Sequence, residues 1–77
     1  MTLGEAIRVS RQKALFTQQD LAQTLNVAPS TVNRWELNKA NPNMKAMKSI
    51  KAFCIENQLD YAIVEKEWLN AKSNNAE

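Results

Sequence analysis

The side chains best suited to chemistry in this chain are the hydroxyl, amide and guanidinium groups of Ser30, Asn33 and Arg34. Val32 lies between Ser30 and Asn33, and Trp35 follows Arg34; these two residues are three apart and therefore share one face of a helix. The three polar groups are left on the outer face. A short helix that is apolar inside and carries hydrogen-bonding groups outside has the shape of a helix that lies in the major groove of DNA.

A second short helix is predicted immediately before this one, over about residues 18–25. Thr17 precedes its apolar run, where the hydroxyl can cap free N–H groups, and Asp20 lies in the first turn, where a negative charge suits the helix dipole. Its inner face carries three residues at helical spacing, Leu21, Ala22 and Leu25. The small side chain of Ala22 allows two helices to cross closely.

A sharp turn is predicted to join the two helices. Asn26 tolerates a left-handed backbone and stands where the first helix should end. Pro29 fits the first turn of the second helix, which is predicted over about residues 29–37, and Asn38 can close it in the same left-handed conformation. Ala28, at the N-cap position, is a poor cap.

The remaining apolar residues predict three more helices and no strands. Thr2 and Glu5 form a capping box before a helix that runs to about Lys13. Asn43 is the predicted cap of a helix over about residues 44–56, and Asp60 that of a fifth helix. The apolar residues assigned to these helices are Leu3, Ile7, Met47, Ile50, Cys54, Ile63, Val64, Trp68 and Leu69.

The predicted fold class is therefore all-α, a compact bundle of five short helices with a central helix-turn-helix. One domain is predicted over residues 1–71, and residues 72–77 are predicted to be a frayed or disordered tail. A chain of 77 residues has room for one core of limited size.

Composition narrows the classes of function. No apolar run is long enough to span a membrane, no signal peptide is visible, and Cys54 has no second cysteine to pair with. These features favour a cytoplasmic location without membrane contact. The chain has no histidine and only one glycine. It therefore lacks histidine-based catalysis, a glycine-rich phosphate loop and a metal-ligand cluster, and we expect no enzyme activity, no cofactor and no metal.

The net charge of +2 is unevenly distributed. Residues 1–55 contain eight basic and three acidic groups, whereas residues 56–77 contain two basic and five acidic groups. The first part carries +5 and the second −3. A basic body favours a phosphate-rich partner, and the acidic end is better suited to another role.

The pattern resembles the lambda-repressor/Cro-like helix-turn-helix family. The resemblance spans roughly residues 3–55, and its matching positions are Gln18, Leu21, Ala22, Leu25, Val27, Val32, Trp35 and Glu36. Two positions differ from the usual family pattern. Asn26 stands where the family usually has glycine, and Ala28 stands where it usually has serine or threonine.

The resemblance implies a small transcriptional regulator, of bacterial or phage type, that binds double-stranded DNA. The residues implied to contact bases are Pro29, Ser30, Asn33 and Arg34, and those implied to contact phosphates are Thr17, Gln18, Lys39 and Lys45. The guanidinium fork of Arg34 matches the two acceptors of guanine, and the amide of Asn33 can bond adenine at two points. Arg11 and Glu36 occupy positions that form an ion pair in the family.

The oligomeric state and the class of function each leave alternatives open. A single helix-turn-helix reads few bases, so a homodimer on a near-palindromic site is expected, at least on DNA. Trp68 either contributes to that interface or packs onto the first helix. Repressor action is the expected mode of regulation. The alternative function is a protein-interaction module, such as an antitoxin-type or adaptor protein with the same fold.

Overall fold

Five α-helices make up the regular structure of the part of the chain that the structure describes. The computed structural model describes the backbone of residues 1–75 and the side chains of residues 1–71. The helices are α1 (Leu3–Lys13), α2 (Gln18–Leu25), α3 (Pro29–Glu36), α4 (Met44–Glu56) and α5 (Tyr61–Asn75). Over this range the all-α prediction is confirmed. The predicted tail over 72–77 begins inside α5, but its side chains and residues 76–77 as a whole lie outside the described residues.

Side-chain caps start the helices where the sequence predicts them. Thr2 with Glu5 and Thr17 with Asp20 form reciprocal capping boxes at the starts of α1 and α2. Asn43 Oδ1 accepts a hydrogen bond from the Ala46 N–H at 2.8 Å, and Asp60 Oδ1 accepts one from the Ala62 N–H at 3.0 Å. The exception is α3, whose N-cap Ala28 makes no side-chain bond, so Pro29 alone favours its start.

The ends of the helices use a left-handed backbone without any glycine. Asn26 has φ of 58° and Asn38 has φ of 60°, which confirms both predicted turns. Leu15 (φ 62°) and Gln58 (φ 57°) adopt the same conformation after α1 and α4. Sequence reasoning missed these two, because neither residue type favours the left-handed region.

The core lies where the five helices meet. Helix α1 packs against α3 and α5, α2 packs against α3 and α4, and α4 packs against α5. The buried apolar side chains are Leu3, Ala6, Ile7, Leu21, Ala22, Leu25, Val32, Trp35, Met47, Ile50, Phe53, Cys54, Val64 and Trp68. The inner faces predicted for the first four helices are thus confirmed.

Trp68 belongs to this core and not to an interface. Its side chain is 7% exposed, and its indole Nε1 donates a hydrogen bond to the Pro42 carbonyl oxygen at 2.7 Å. The interface alternative for Trp68 is therefore wrong. The loop before α4 supplies a carbonyl partner for the indole nitrogen, which sequence spacing does not reveal. The other large apolar residues assigned to α5, Ile63 and Leu69, are 41% and 52% exposed.

Helices α1 and α3 approach each other closely at Gly4. A Cβ atom at this position would lie 2.6 Å from the carbonyl oxygens of both Trp35 and Glu36, closer than real Cβ contacts. The Gly4 N–H also donates to Asn38 Oδ1 at 3.0 Å, and Asn38 Nδ2 donates to Thr2 Oγ1 at 3.1 Å. The end of α3 is thereby fixed to the start of α1.

Candidate nucleic-acid interface

The outer face of α3 carries the polar side chains that the sequence singles out. Pro29, Ser30, Asn33 and Arg34 are all exposed, and Leu37, just after the helix, is 54% exposed. On the inner face Val32 is fully buried and Trp35 is 4% exposed. Because one face is held in the core, the other is presented to solvent in a fixed orientation.

The start of α2 lies beside this face. Thr17 is exposed, and its hydroxyl oxygen accepts from the Asp20 N–H at 3.0 Å, which leaves the hydroxyl able to donate a hydrogen bond. Gln18 is the first residue of α2, and its backbone N–H belongs to the first turn, which has no intrahelical acceptor. The positive end of the helix dipole and this N–H together suit an anion.

Arg11 and Glu36 form an ion pair beneath the face. Arg11 Nε donates to Glu36 Oε2 at 2.7 Å, and Arg11 Nη2 donates to Glu36 Oε1 at 2.9 Å. The side chains are 12% and 4% exposed, respectively. Arg11 Nη1 also donates to the Phe16 carbonyl oxygen at 2.9 Å. The hydrogen bonds to Glu36 raise the pKa of Arg11 above its usual value, and the arginine stays charged.

This pair removes the one acidic charge of α3 from the candidate interface. Glu36 is the only Asp or Glu in the helix, and its carboxylate is buried and neutralised by Arg11. The pair also connects α1 to the last turn of α3. The exposed charge that remains on α3 is the cation of Arg34.

Gln18 connects α2 to the same carboxylate and to the outer face. Its Nε2 donates to Glu36 Oε1 at 3.1 Å and to Asn33 Oδ1 at 3.3 Å. The family resemblance implies a phosphate contact for Gln18, and in the structure its amide nitrogen already donates to these two acceptors. Gln18 and Asn33 lie on different helices and 15 residues apart. Helical spacing therefore does not reveal the bond between them.

The two lysines implied as phosphate contacts are exposed and lie outside α3. Lys39 follows the left-handed turn at Asn38, and its backbone N–H donates to the Arg34 carbonyl oxygen at 2.9 Å. Lys45 lies in the first turn of α4. Their ammonium groups make no ion pair with any described residue.

Comparison with known proteins agrees with this geometry. Residues 7–53 match the family model described as helix-turn-helix, over more than half of the chain. The fold and the site together thus define a helix-turn-helix protein. The chain belongs to the helix-turn-helix family, and the resemblance to its lambda-repressor/Cro-like members is confirmed.

Relatives are found in yeasts and bacteria. Multiprotein-bridging factor 1 of Debaryomyces hansenii is 35% identical over 51 residues, which cover 66% of this chain and 34% of that protein. The HTH-type transcriptional activator BcrR of Enterococcus faecalis is 34% identical over 53 residues, which cover 69% of this chain and 26% of that protein. The chain thus spans about a third or less of the length of these relatives.

A solved structure shares the fold. The clp gene regulator ClgR of Corynebacterium glutamicum aligns with a TM-score of 0.68 and 23% identity, over 96% of this chain and 76% of that chain. No helix among the described residues is long and apolar enough to cross a membrane. In the same part of the chain, no three His, Cys, Asp or Glu side chains form a group that could hold a metal ion.

Proposed function

We propose that this protein binds double-stranded DNA in a sequence-specific way, with α3 in the major groove, and regulates transcription. The observation that carries the proposal is the two-sided character of α3. Ser30, Asn33 and Arg34 are exposed on a helix whose Val32 and Trp35 are locked in the core. A rigid helix that presents a hydroxyl, an amide and a guanidinium can read base edges.

Charge supports the same proposal. Burial of Glu36 against Arg11 leaves the outer face of α3 without an exposed carboxylate. Lys39, in the loop between α3 and α4, and Lys45, in the first turn of α4, are both exposed. We assign these lysines, the Thr17–Gln18 start of α2 and its backbone N–H groups to phosphate contacts, which set the position of α3 without reading sequence.

Binding as a homodimer is part of the proposal. One recognition helix reads few bases, whereas a two-fold pair reads two half-sites about 34–36 Å apart. With Trp68 in the core, the exposed apolar side chains of α5 are Ile63 and Leu69. We propose that these side chains contribute to the dimer, at least on DNA. Analytical ultracentrifugation of wild type and Leu69→Lys tests this role. Each protein is measured alone and with a DNA site obtained by selection from a random oligonucleotide pool.

Selection of bound sequences from a random oligonucleotide pool tests the whole proposal. We expect an enriched palindrome with half-sites one turn apart. An enriched single half-site would support base reading and contradict the homodimer. Retention of the pool without any enrichment would contradict sequence-specific binding.

A second candidate function is a protein-interaction module. Two observations favour it: a relative is named multiprotein-bridging factor 1, and Ile55, Ile63 and Leu69 are exposed apolar side chains on α4 and α5. A mobility-shift assay with random-sequence competitor separates the two functions. A complex that survives excess competitor supports the regulator, and no complex with any DNA supports the module.

Four finer predictions stay predictions. The relatives include yeast as well as bacterial proteins, so they do not test the expected bacterial or phage origin. Repressor action also stays a prediction, because the relative named for its mode of regulation is an activator. The cytoplasmic location and the lack of enzyme activity also rest on the sequence alone.

A further inference from the structure

We infer that Asn33 reads its base as a hydrogen-bond donor, because a chain of bonds through Arg11, Glu36 and Gln18 turns its amide nitrogen outward. The inference rests on the proposed function and names the kind of base that one residue of α3 recognises. It differs from the two-point bond to adenine that residue type alone suggests for an asparagine.

The direction of the bonds is set at Glu36. Arg11 donates to both of its carboxylate oxygens, at 2.7 Å and 2.9 Å. A carboxylate held by a guanidinium in this way is ionised and can only accept hydrogen bonds. Gln18 lies 3.1 Å from Glu36 Oε1, and the atom of its amide that can donate there is Nε2.

The second hydrogen of Gln18 Nε2 extends this direction to α3. It is directed to Asn33 Oδ1 at 3.3 Å, so the carbonyl oxygen of the Asn33 amide faces α2. Because the amide is planar, Nδ2 then lies on the opposite side of the group. Asn33 is exposed, and Nδ2 with its two hydrogens is the part of the amide available to DNA.

This orientation selects among bases. A two-point bond to adenine needs the amide oxygen to accept from adenine N6 while the nitrogen donates to N7, but the oxygen is directed to Gln18. An outward NH2 instead matches the O6 and N7 acceptors of guanine and the O4 of thymine, whereas adenine offers it only N7, beside the N6 donor. Cytosine presents an N4 donor in the major groove and is disfavoured.

Gln18 is therefore a positioning residue for Asn33. With its amide nitrogen occupied, the phosphate contact at the start of α2 falls to the backbone N–H groups of the first turn. A change in the Gln18 side chain should then alter which base is preferred at the position that Asn33 reads.

The test compares bound sequences selected by the full chain and by three variants. Asn33→Ala identifies the base position that Asn33 reads, as the position where preference is lost. In the wild type we expect guanine or thymine there, with cytosine most disfavoured. Gln18→Leu frees the Asn33 amide, and the preference for guanine or thymine over adenine should fall roughly 2- to 10-fold, the range of one net hydrogen bond. Gln23→Leu, an exposed glutamine on α2, is the control and should change nothing.

Asn33→Asp provides a second test in which Gln18 itself is unchanged. Its carboxylate keeps an acceptor toward Gln18 but replaces the outward donor with an acceptor. Selection should then turn from guanine or thymine toward cytosine, whose N4 group donates. Melting curves of each variant confirm that it is folded under the selection conditions.

The outcomes separate the inference from the proposed function. If the wild type prefers adenine over guanine and thymine at the position identified by Asn33→Ala, the Asn33 oxygen also accepts from adenine N6 and the inference is wrong. If Gln18→Leu weakens binding equally on all sequences with unchanged base preference, Gln18 does not position Asn33, and the inference is again wrong. If the wild type enriches no sequence at all, the proposed function itself fails.

Discussion

Arg34 is the residue of α3 whose side chain is expected to carry the most base specificity. It is exposed on the outer face, and its guanidinium can bond O6 and N7 of one guanine. Arg34→Ala should cost about 1–3 kcal/mol of binding free energy on the preferred site and relax the preference at one base position. Fluorescence anisotropy on the preferred and on random DNA measures both effects.

A charge-matched control sharpens this test. Arg8→Ala removes another exposed arginine, from α1, and should leave the ratio of specific to random affinity unchanged. If Arg34→Ala lowers both affinities by the same factor, Arg34 contacts phosphate only.

Arg11 and Glu36 should show strong coupling in stability. Arg11→Met leaves the 4%-exposed carboxylate of Glu36 without its cation, which should cost about 3–5 kcal/mol of unfolding free energy. The double variant Arg11→Met/Glu36→Met removes the buried charge as well. It should therefore be more stable than Arg11→Met alone, even though the bond to the Phe16 carbonyl stays lost.

Urea unfolding of Arg11→Met, Glu36→Met and the double variant measures this coupling. Independent, additive losses would mean that the pair is solvated and that each partner acts alone. In that case α3 is positioned by its apolar face without help from the ion pair.

At the scale of elements, Trp35 holds α3 in the bundle. The side chain is 4% exposed, and Trp35→Ala should lower the unfolding free energy by about 3–5 kcal/mol, as for other buried aromatic residues cut to alanine. Leu37→Ala, two residues further and 54% exposed, should stay within about 0.5 kcal/mol of wild type. Equal melting temperatures for the two variants would mean that α3 is not anchored through Trp35.

The left-handed residues at the ends of α1 and α3 should respond oppositely to glycine. Leu15 has φ of 62° and is 90% exposed, so Leu15→Gly relieves backbone strain of about 1 kcal/mol without loss of packing. The melting temperature should rise by about 4–8 °C, the shift expected per kcal/mol for a domain of this size.

Asn38→Gly is the matched comparison. It relieves a similar φ of 60° but loses the bonds to the Gly4 N–H and to Thr2 Oγ1. We expect this variant to gain nothing or to melt lower than wild type. A gain equal to that of Leu15→Gly would show that Asn38 does not fix α3 to α1.

The elements were predictable because they depend on local signals. Thr2, Thr17 and Asn43 cap helices through their own neighbours, and periodic apolar residues define the inner faces. What could not be predicted depends on pairs far apart in the chain. The bond from Trp68 to Pro42 and the direction of the Gln18 amide arise only when the helices are packed. The roles of individual side chains on DNA stay predictions for the same reason.

At the scale of the whole molecule, salt should control affinity. Each phosphate contact contributes about −0.9 to the slope of log affinity against log salt. Lys39→Ala should weaken binding on every sequence and flatten that slope by about one unit. Lys66→Ala removes the same charge from acidic α5 and should leave the slope unchanged. Affinity that is independent of salt, or equal slopes for wild type and Lys39→Ala, would contradict the phosphate role of Lys39.

None of the residues described above as left-handed is a glycine; they are Leu15, Asn26, Asn38 and Gln58. This also affects how the protein can evolve. Leu15 and Gln58 are not on the outer face of α3. Single substitutions at these two positions can relieve backbone strain and so raise the stability of the fold. A more stable scaffold tolerates more destabilising changes elsewhere. Lineages that relax these two turns would therefore have more freedom to exchange the side chains of α3, and so to acquire new target sequences.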